Sequence, residues 1–235
     1  ISPTLDETEA FVALSDEEQR QVLHAKLDAC LDSEFWLGEN GVLWNVAHRK
    51  VRPVGTLIGF ANFFYDYEYF TYTQIDGHSV RDVLVGQYLV ERSDVGTPEE
   101  PKSVYAIVAE REDQPLQPER RVGMVTTAWP LFYNTMFTAL PRGTAAQAYR
   151  AFLGFDIAAS EGLNWPAGVQ ETECAGCHST LDPLAYPFAT YNGLQSDASA
   201  TFFMYDPDRI DKYFAFQQPG LSAMPEAGVI MGQPV

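Results

Sequence analysis

Glu173-Cys174-Ala175-Gly176-Cys177-His178 is the stretch on which the reading of this chain turns. Two cysteines one helical turn apart offer both sulfurs to the two vinyl groups of one porphyrin. The histidine beside the second then reaches the iron, so Cys-x-x-Cys-His is the attachment pattern of a c-type haem. Two plainer uses of paired cysteines compete with it. A thioredoxin-like redox pair belongs near the first strand and helix of a βαβ unit, whereas this motif comes late in the chain. A zinc site needs a second pair of N or S ligands, and Cys30, His24, His48 and His78 form no such cluster in the sequence.

Working outward, Leu181-Asp182-Pro183-Leu184-Ala185-Tyr186-Pro187-Phe188 supplies apolar and aromatic residues suited to line a haem edge, with Pro183, Tyr186 and Phe188 as wall residues. The two prolines predict a stiff turn or loop in place of a long helix. Tyr191 belongs to the same wall. His178 is the expected proximal ligand, and Met224, in Leu221-Ser222-Ala223-Met224-Pro225, is the expected ligand on the opposite face. A proline after the methionine lowers the entropic cost of holding a thioether on the iron. Met231, Met204 and the three other histidines remain as alternatives, and an empty sixth position would open oxygen or peroxide chemistry.

The rest of the chain reads as mainly α. Ser15-Asp16-Glu17-Glu18 carries a capping box ahead of an apolar run, predicting a helix to about Leu31, with Cys30 as a buried apolar residue in it. His48-Arg49-Lys50-Val51-Arg52 is the one basic cluster, either a solvated face or a docking or propionate-pairing site. Val54 to Tyr72 is dense in aromatics, which suits core or interface packing and predicts a helix turning to loop or strand near Tyr67. Val80, Val83, Leu84, Gln87 and Tyr88 predict a helix over Ser79 to Val90. Glu91 to Pro101 and Glu110 to Arg121 read as loops and as boundaries. A helix-like run follows from Leu131 to Leu140, another from Ala145 to Leu153, and Gly162 to Gly168 is a loop leading to the cysteines. The predicted organisation is an N-terminal helical, aromatic-rich region over 1–120, followed by a helical region over 121–235 holding a cytochrome c-like haem segment.

Composition narrows the partners. The chain has 235 residues, 46% of them hydrophobic and 13% aromatic, enough for a real core and inconsistent with disorder. Its formal net charge of −17 argues against nucleic acid and anionic lipid and favours a cationic docking partner or merely solubility. No apolar stretch is long enough to span a bilayer. The first residues lack a basic start followed by an apolar run, so the chain reads as a mature or processed form. Because covalent haem attachment takes place on the outer side of the bacterial membrane, the motif predicts a periplasmic or extracellular protein, peripheral to a membrane complex if bound to one.

The residues from Cys174 through Asp182-Pro183 and Phe188 to Gly193 resemble the Cys-x-x-Cys-His-x-x-x-Asp-Pro-x-Gly-x-x-Phe-x-x-Phe-Asp pattern of planctomycete-type cytochrome c proteins. Gly123-Met124-Val125-Thr126, Arg142-Gly143 and the segment Arg81 to Leu89 stand where that family's flanking domains carry similar residues. Ala185 replaces the family's glycine and Tyr191-Asn192 its aromatic-Asp pair, which makes this a divergent member. The resemblance implies one haem c, held through Cys174 and Cys177, and supplies no substrate. One-electron transfer at His178/Met224-ligated iron, as a carrier or a subunit of a larger redox complex, is therefore the expected function. The other readings are a haem enzyme, peroxidase-like or an electron-entry subunit of an oxidoreductase, and an accessory subunit in which haem staples the fold.

Overall fold

A computed structural model of the chain describes residues 3–51, 64–111, 114, 116–131, 142–154, 181, 184–185, 188, 190–192, 204–205, 229–230 and 233–234. Among these the chain is mostly helical, with one substantial pair of strands.

The first two helices are defined by their caps. Thr4 and Glu7 close a capping box on α1 (Leu5–Val12), and Ser15 and Glu18 close a second on α2 (Asp16–Leu31), each carboxylate turning back to the backbone N–H of the cap residue. The second is the one that the sequence reading located, and its helix ends at the expected residue. Neither helix buries a single residue. Cys30 is accordingly only partly covered, a correction to its expected place in a core: the helix that carries it lies on the surface.

Packing begins with α3 (Glu34–Leu37) and α4 (Val42–Val51), joined by a turn in which Asn40 takes the left-handed conformation. Leu43, Trp44 and Ala47 point from α4 into the interior. They meet α5 (Tyr65–Thr73), whose sequence Tyr-Asp-Tyr-Glu-Tyr-Phe-Thr-Tyr-Thr is buried at seven of nine positions. The structure corrects the expected break near Tyr67, because α5 runs straight through it. A helix covered on nearly every side presents no polar face to water, so its polar groups must find partners inside.

The segment after α5 also departs from expectation. The helix predicted over Ser79 to Val90 is a single turn, α6 (Asp82–Val85), which Gly86 ends in an extended conformation. Leu89–Asp94 is then strand β1, paired antiparallel with β2 (Ser103–Val108) from Leu89↔Val108 to Asp94↔Ser103. Charge over Glu91 to Pro101 suggests a loop, but a strand at a surface keeps its charges on the outer face. Here one face of the hairpin carries Val90 and Tyr105 into the cluster formed with Tyr65 and Tyr69 of α5, and Leu89, on the opposite face at the start of β1, is buried as well. The turn is closed by the Asp94 carboxylate, which accepts from the Gly96 and Lys102 amides at 3.1 and 3.2 Å.

Beyond the hairpin, Glu110 to Arg121 is irregular at its described residues apart from a 3-10 turn at Pro118–Arg120, and a second such turn spans Gly123–Thr126. The latter is docked by its backbone, with the Gly123 amide donating to the Gly86 carbonyl at 2.8 Å. Gly123 has φ +50°, and a Cβ there would strike the Val83 carbonyl; a Cβ on Gly86 would strike the Tyr69 hydroxyl. Only glycine permits both approaches. Contacts across residue 120 continue with the Gln114 side-chain amide on the Thr126 carbonyl at 2.9 Å. α7 (Ala128–Pro130) follows, and Leu131 is buried, while the rest of the helix expected to Leu140 lies outside the described residues. α8 (Arg142–Ala148) passes into a π-turn at Tyr149–Leu153, beginning three residues before the expected start.

Two predictions follow from this packing. Replacing either Gly86 or Gly123 by alanine lowers the midpoint of urea unfolding, by about 1–3 kcal/mol as for other overpacked sites. Glu68, whose carboxylate on α5 meets the Arg111 guanidinium at 2.5 Å with both side chains at most 10% exposed, gives a larger effect. Glu68→Gln or Arg111→Met alone costs about 3–5 kcal/mol, and a double replacement by apolar residues recovers much of it.

Candidate cofactor segment and buried polar core

Of the residues singled out for a cofactor, Cys174, Cys177, His178, Pro183, Tyr186 and Met224 lie outside the described residues, as do Met231 and the basic cluster's Arg52. Phe188 is described and is wholly buried, its ring centroid 5.8 Å from that of Tyr191, itself wholly buried. Leu181 and Ala185 are buried too. Leu181, Leu184 and Ala185 have helical backbone where the prolines predict a turn or loop, and Phe188 stands in a 3-10 turn. Residues 181, 185 and 188 share one face at helical spacing, which explains why these three go inward together. Leu181, Ala185 and Phe188 are thus apolar anchors of the described part of the stretch just after the cysteines.

A further anchor is polar. The Tyr191 hydroxyl donates to the Arg120 carbonyl at 2.7 Å, and Tyr191–Asn192 forms a short strand, β3, with β4 (Met204–Tyr205). Arg120 belongs to the 3-10 turn, and Arg121 beside it reaches the carbonyls of Leu116 at 2.7 Å and Gln87 at 3.3 Å. Burial lowers the Arg121 pKa, opposed by Tyr65 and Glu119. From Tyr191 a continuous chain of contacts therefore leads through the 116–126 segment to α6 and β1. A further short pair, β5 (Val229–Ile230) with β6 (Gln233–Pro234), follows the Met224 segment.

The remaining histidines occupy structural places. His24 is exposed on α2. His78 stacks on Tyr72 with ring centroids 4.0 Å apart and its Nδ1 lies 2.8 Å from the Tyr72 carbonyl. His48 Nδ1 meets the Tyr67 hydroxyl at 2.7 Å. Among the described residues there is no group of three or more His, Cys, Asp or Glu placed to share a metal ion.

What sequence reasoning missed is the polar interior of α5. The Arg111 guanidinium holds Glu68, donates to the Val90 carbonyl at 2.6 Å and lies 4.3 Å from the centre of the Tyr65 ring. One cation thus answers a carboxylate, a strand carbonyl and an aromatic face. Tyr69 donates to the Asp82 carbonyl and Tyr88 to the Asp82 carboxylate, both at 3.1 Å, and the two rings stack 5.4 Å apart. Trp44 donates its indole N–H to the Tyr105 hydroxyl at 2.9 Å, which in turn donates a hydrogen bond to the Leu37 carbonyl at 2.5 Å. Two acids embedded in the aromatic run, Asp66 and Glu68, were the available signal, since a carboxylate among tyrosines needs an internal partner. Arg111, flanked by Glu110 and Glu112, gave no sign that it was that partner.

No family model, no curated protein and no solved structure gives a significant match to this chain.

Burial raises the Tyr69 and Tyr88 hydroxyl pKa values well above the ordinary phenol range, with Tyr88 adding to the shift at Tyr69 and Asp82 to that at Tyr88. Because the folded state favours the protonated phenol, its contribution to stability is complete below about pH 10 and is lost as the pH rises beyond. In an ultraviolet difference titration, Tyr69→Phe and Tyr88→Phe should leave the ionisation curve below about pH 11 unchanged. A lost ionisation step in either variant would show that the hydroxyl is open to water.

Proposed function

We propose that this chain is a monohaem c-type cytochrome that transfers single electrons, as a carrier or as a subunit of a larger periplasmic or extracellular redox complex. The observation that carries the reading is Cys174-Ala175-Gly176-Cys177-His178, a donor set in which two thiols and an imidazole are spaced for one porphyrin. Its resemblance to planctomycete-type cytochromes c points the same way. The inward face formed by Leu181, Ala185 and Phe188 supports it, since a covalently held haem needs adjoining chain fixed in the protein and apolar cover that excludes water. In this reading Cys174 and Cys177 would hold the porphyrin through thioether bonds, and His178 and Met224 would ligate the iron. Pro183 and Tyr186 join Phe188 in the wall. When bound, the group supplies reversible one-electron exchange at iron.

Electron transfer asks less of the protein than catalysis does: an exposed haem edge, a fixed ligand field and a partner. The strongly acidic chain favours a partner with a cationic docking face, because complementary charge speeds encounter. Among the described residues no helix is long and apolar enough to cross a membrane.

Expression with a c-type haem maturation system tests the reading. The chain should keep one haem through denaturation and acid–acetone extraction, and Cys174→Ala with Cys177→Ala should release it. A near-infrared band of methionine-to-iron ligation should vanish in Met224→Ala, with a fall in reduction potential. A protein that emerges without haem, or with zinc on the two cysteines, overturns the proposal. A five-coordinate haem that binds carbon monoxide in the unmodified chain would replace electron transfer by ligand chemistry.

A further inference from the structure

Tyr67 is 4% exposed, yet its hydroxyl sits 2.7 Å from Nδ1 of a histidine whose ring reaches solvent. With the ring proton on Nε2, Nδ1 accepts from the phenol. The other buried or half-buried tyrosine hydroxyls with defined partners differ. Those of Tyr69, Tyr105 and Tyr191 point at backbone carbonyls, which accept a hydrogen bond and cannot take a proton. Tyr88 faces the Asp82 carboxylate, at a longer 3.1 Å and on a weaker base than imidazole. Trp44 lies against Tyr67 at 5.2 Å between ring centres, and Arg92 lies 5.9 Å from the Trp44 ring.

From this arrangement we propose that Tyr67 and His48 form a redox-active pair, a site that discharges a strong one-electron oxidant as a neutral tyrosyl radical. The chemistry balances within the pair. The Tyr67 phenol gives an electron to the oxidant and its hydroxyl proton to His48 Nδ1, leaving a phenoxyl radical and an imidazolium. A one-electron reductant, such as ferrous haem or a small thiol or enediol, returns the electron, and the proton moves back. A buried phenol without a base is hard to oxidise, because the cation radical it would form keeps its charge in a poorly solvated interior. Here the charge moves to an imidazole at the surface. The nearby Arg92 cation disfavours an indole cation radical on Trp44, so a hole that reaches Trp44 passes downhill to Tyr67. The oxidant class is a peroxide-oxidised haem or a comparable outer-sphere oxidant. The proposal rests on the haem reading only for a natural source of that oxidant; the pair is argued from its own geometry.

Flash photolysis of ruthenium(II) tris-bipyridine with persulfate, in the presence of the full chain, tests it without calling on haem. The expected product is a neutral tyrosyl radical seen by electron paramagnetic resonance and transient absorption. Tyr67→Phe should lose most of that signal, and Tyr88→Phe should keep it. His48→Gln, which preserves a hydrogen-bond acceptor and removes the base, should form the radical about a hundredfold more slowly. Thermal unfolding of each variant establishes that the fold survives, and His48→Gln, altered at an exposed side chain, serves if Tyr67→Phe does not fold. An undiminished radical in Tyr67→Phe, or formation in His48→Gln as fast as in the parent, overturns the proposal. A chain that carries no haem but yields the His48-dependent radical would refute the cytochrome reading and leave this one standing.

Discussion

The ion pair between Glu68 and Arg111 is the constraint around which the described part of the molecule is arranged. A helix with a carboxylate in its middle can enter a core only if the charge is met there, and the meeting residue must come from elsewhere in the chain. Arg111 follows the second strand, so the pair fixes where the hairpin ends relative to α5. Its second hydrogen bond, to the Val90 carbonyl, ties the first strand to the same point. The Tyr65 ring, 4.3 Å from the same guanidinium, adds an aromatic wall. Hydrophobic burial supplies most of the driving force for such a core but little direction. Directional contacts to one guanidinium set the relative placement of helix and strands.

How much of this could be read beforehand depended on whether the signal was local. The α2 helix was legible because Ser15 and Glu18 satisfy each other within one turn and need nothing else. The helix near Ala145 was legible for the same reason, its apolar spacing being uninterrupted. Ser79 to Val90 misled because Val80, Val83, Leu84 and Tyr88 do fall at helical spacing, while the strand pairing of Leu89 with Val108 is a non-local term that periodicity does not contain. Tyr67 misled in the opposite direction: tyrosines and threonines favour strands, but packing between α4 and the hairpin favours helix there. The cofactor residues were legible as chemistry alone, from two thiols and an imidazole, and of the proposed wall residues Phe188 and Tyr191 are described, both buried. The paired roles of His48 and Arg111 are invisible without the fold, since each takes its meaning from a residue 19 or 43 positions away.

Among the described residues, Tyr191 ties the segment after the cysteines to the body of the protein. Tyr191 and Arg120 are 71 positions apart, and their hydrogen bond sets one end of the stretch that begins near Leu181. The 3-10 turns that receive it are themselves held by the backbone bond between Gly123 and Gly86. The seat of Tyr191 thus depends on two glycines far from it in sequence. A proposed cofactor at residues 174–178 would inherit its support from that frame.

The contacts that close the body, from Glu34 with Ser103 through Trp44 with Tyr105 to Gly123 with Gly86, all join residues that precede position 130. A nascent chain emerging from its N-terminus has both partners of each of these contacts before the two cysteines appear. Leu181, Phe188 and Tyr191 emerge later, and the hydrogen bond from the Tyr191 hydroxyl to the Arg120 carbonyl closes last, a latch on a scaffold that has already formed. If Cys174 and Cys177 take the proposed haem, they emerge after that scaffold and before its latch.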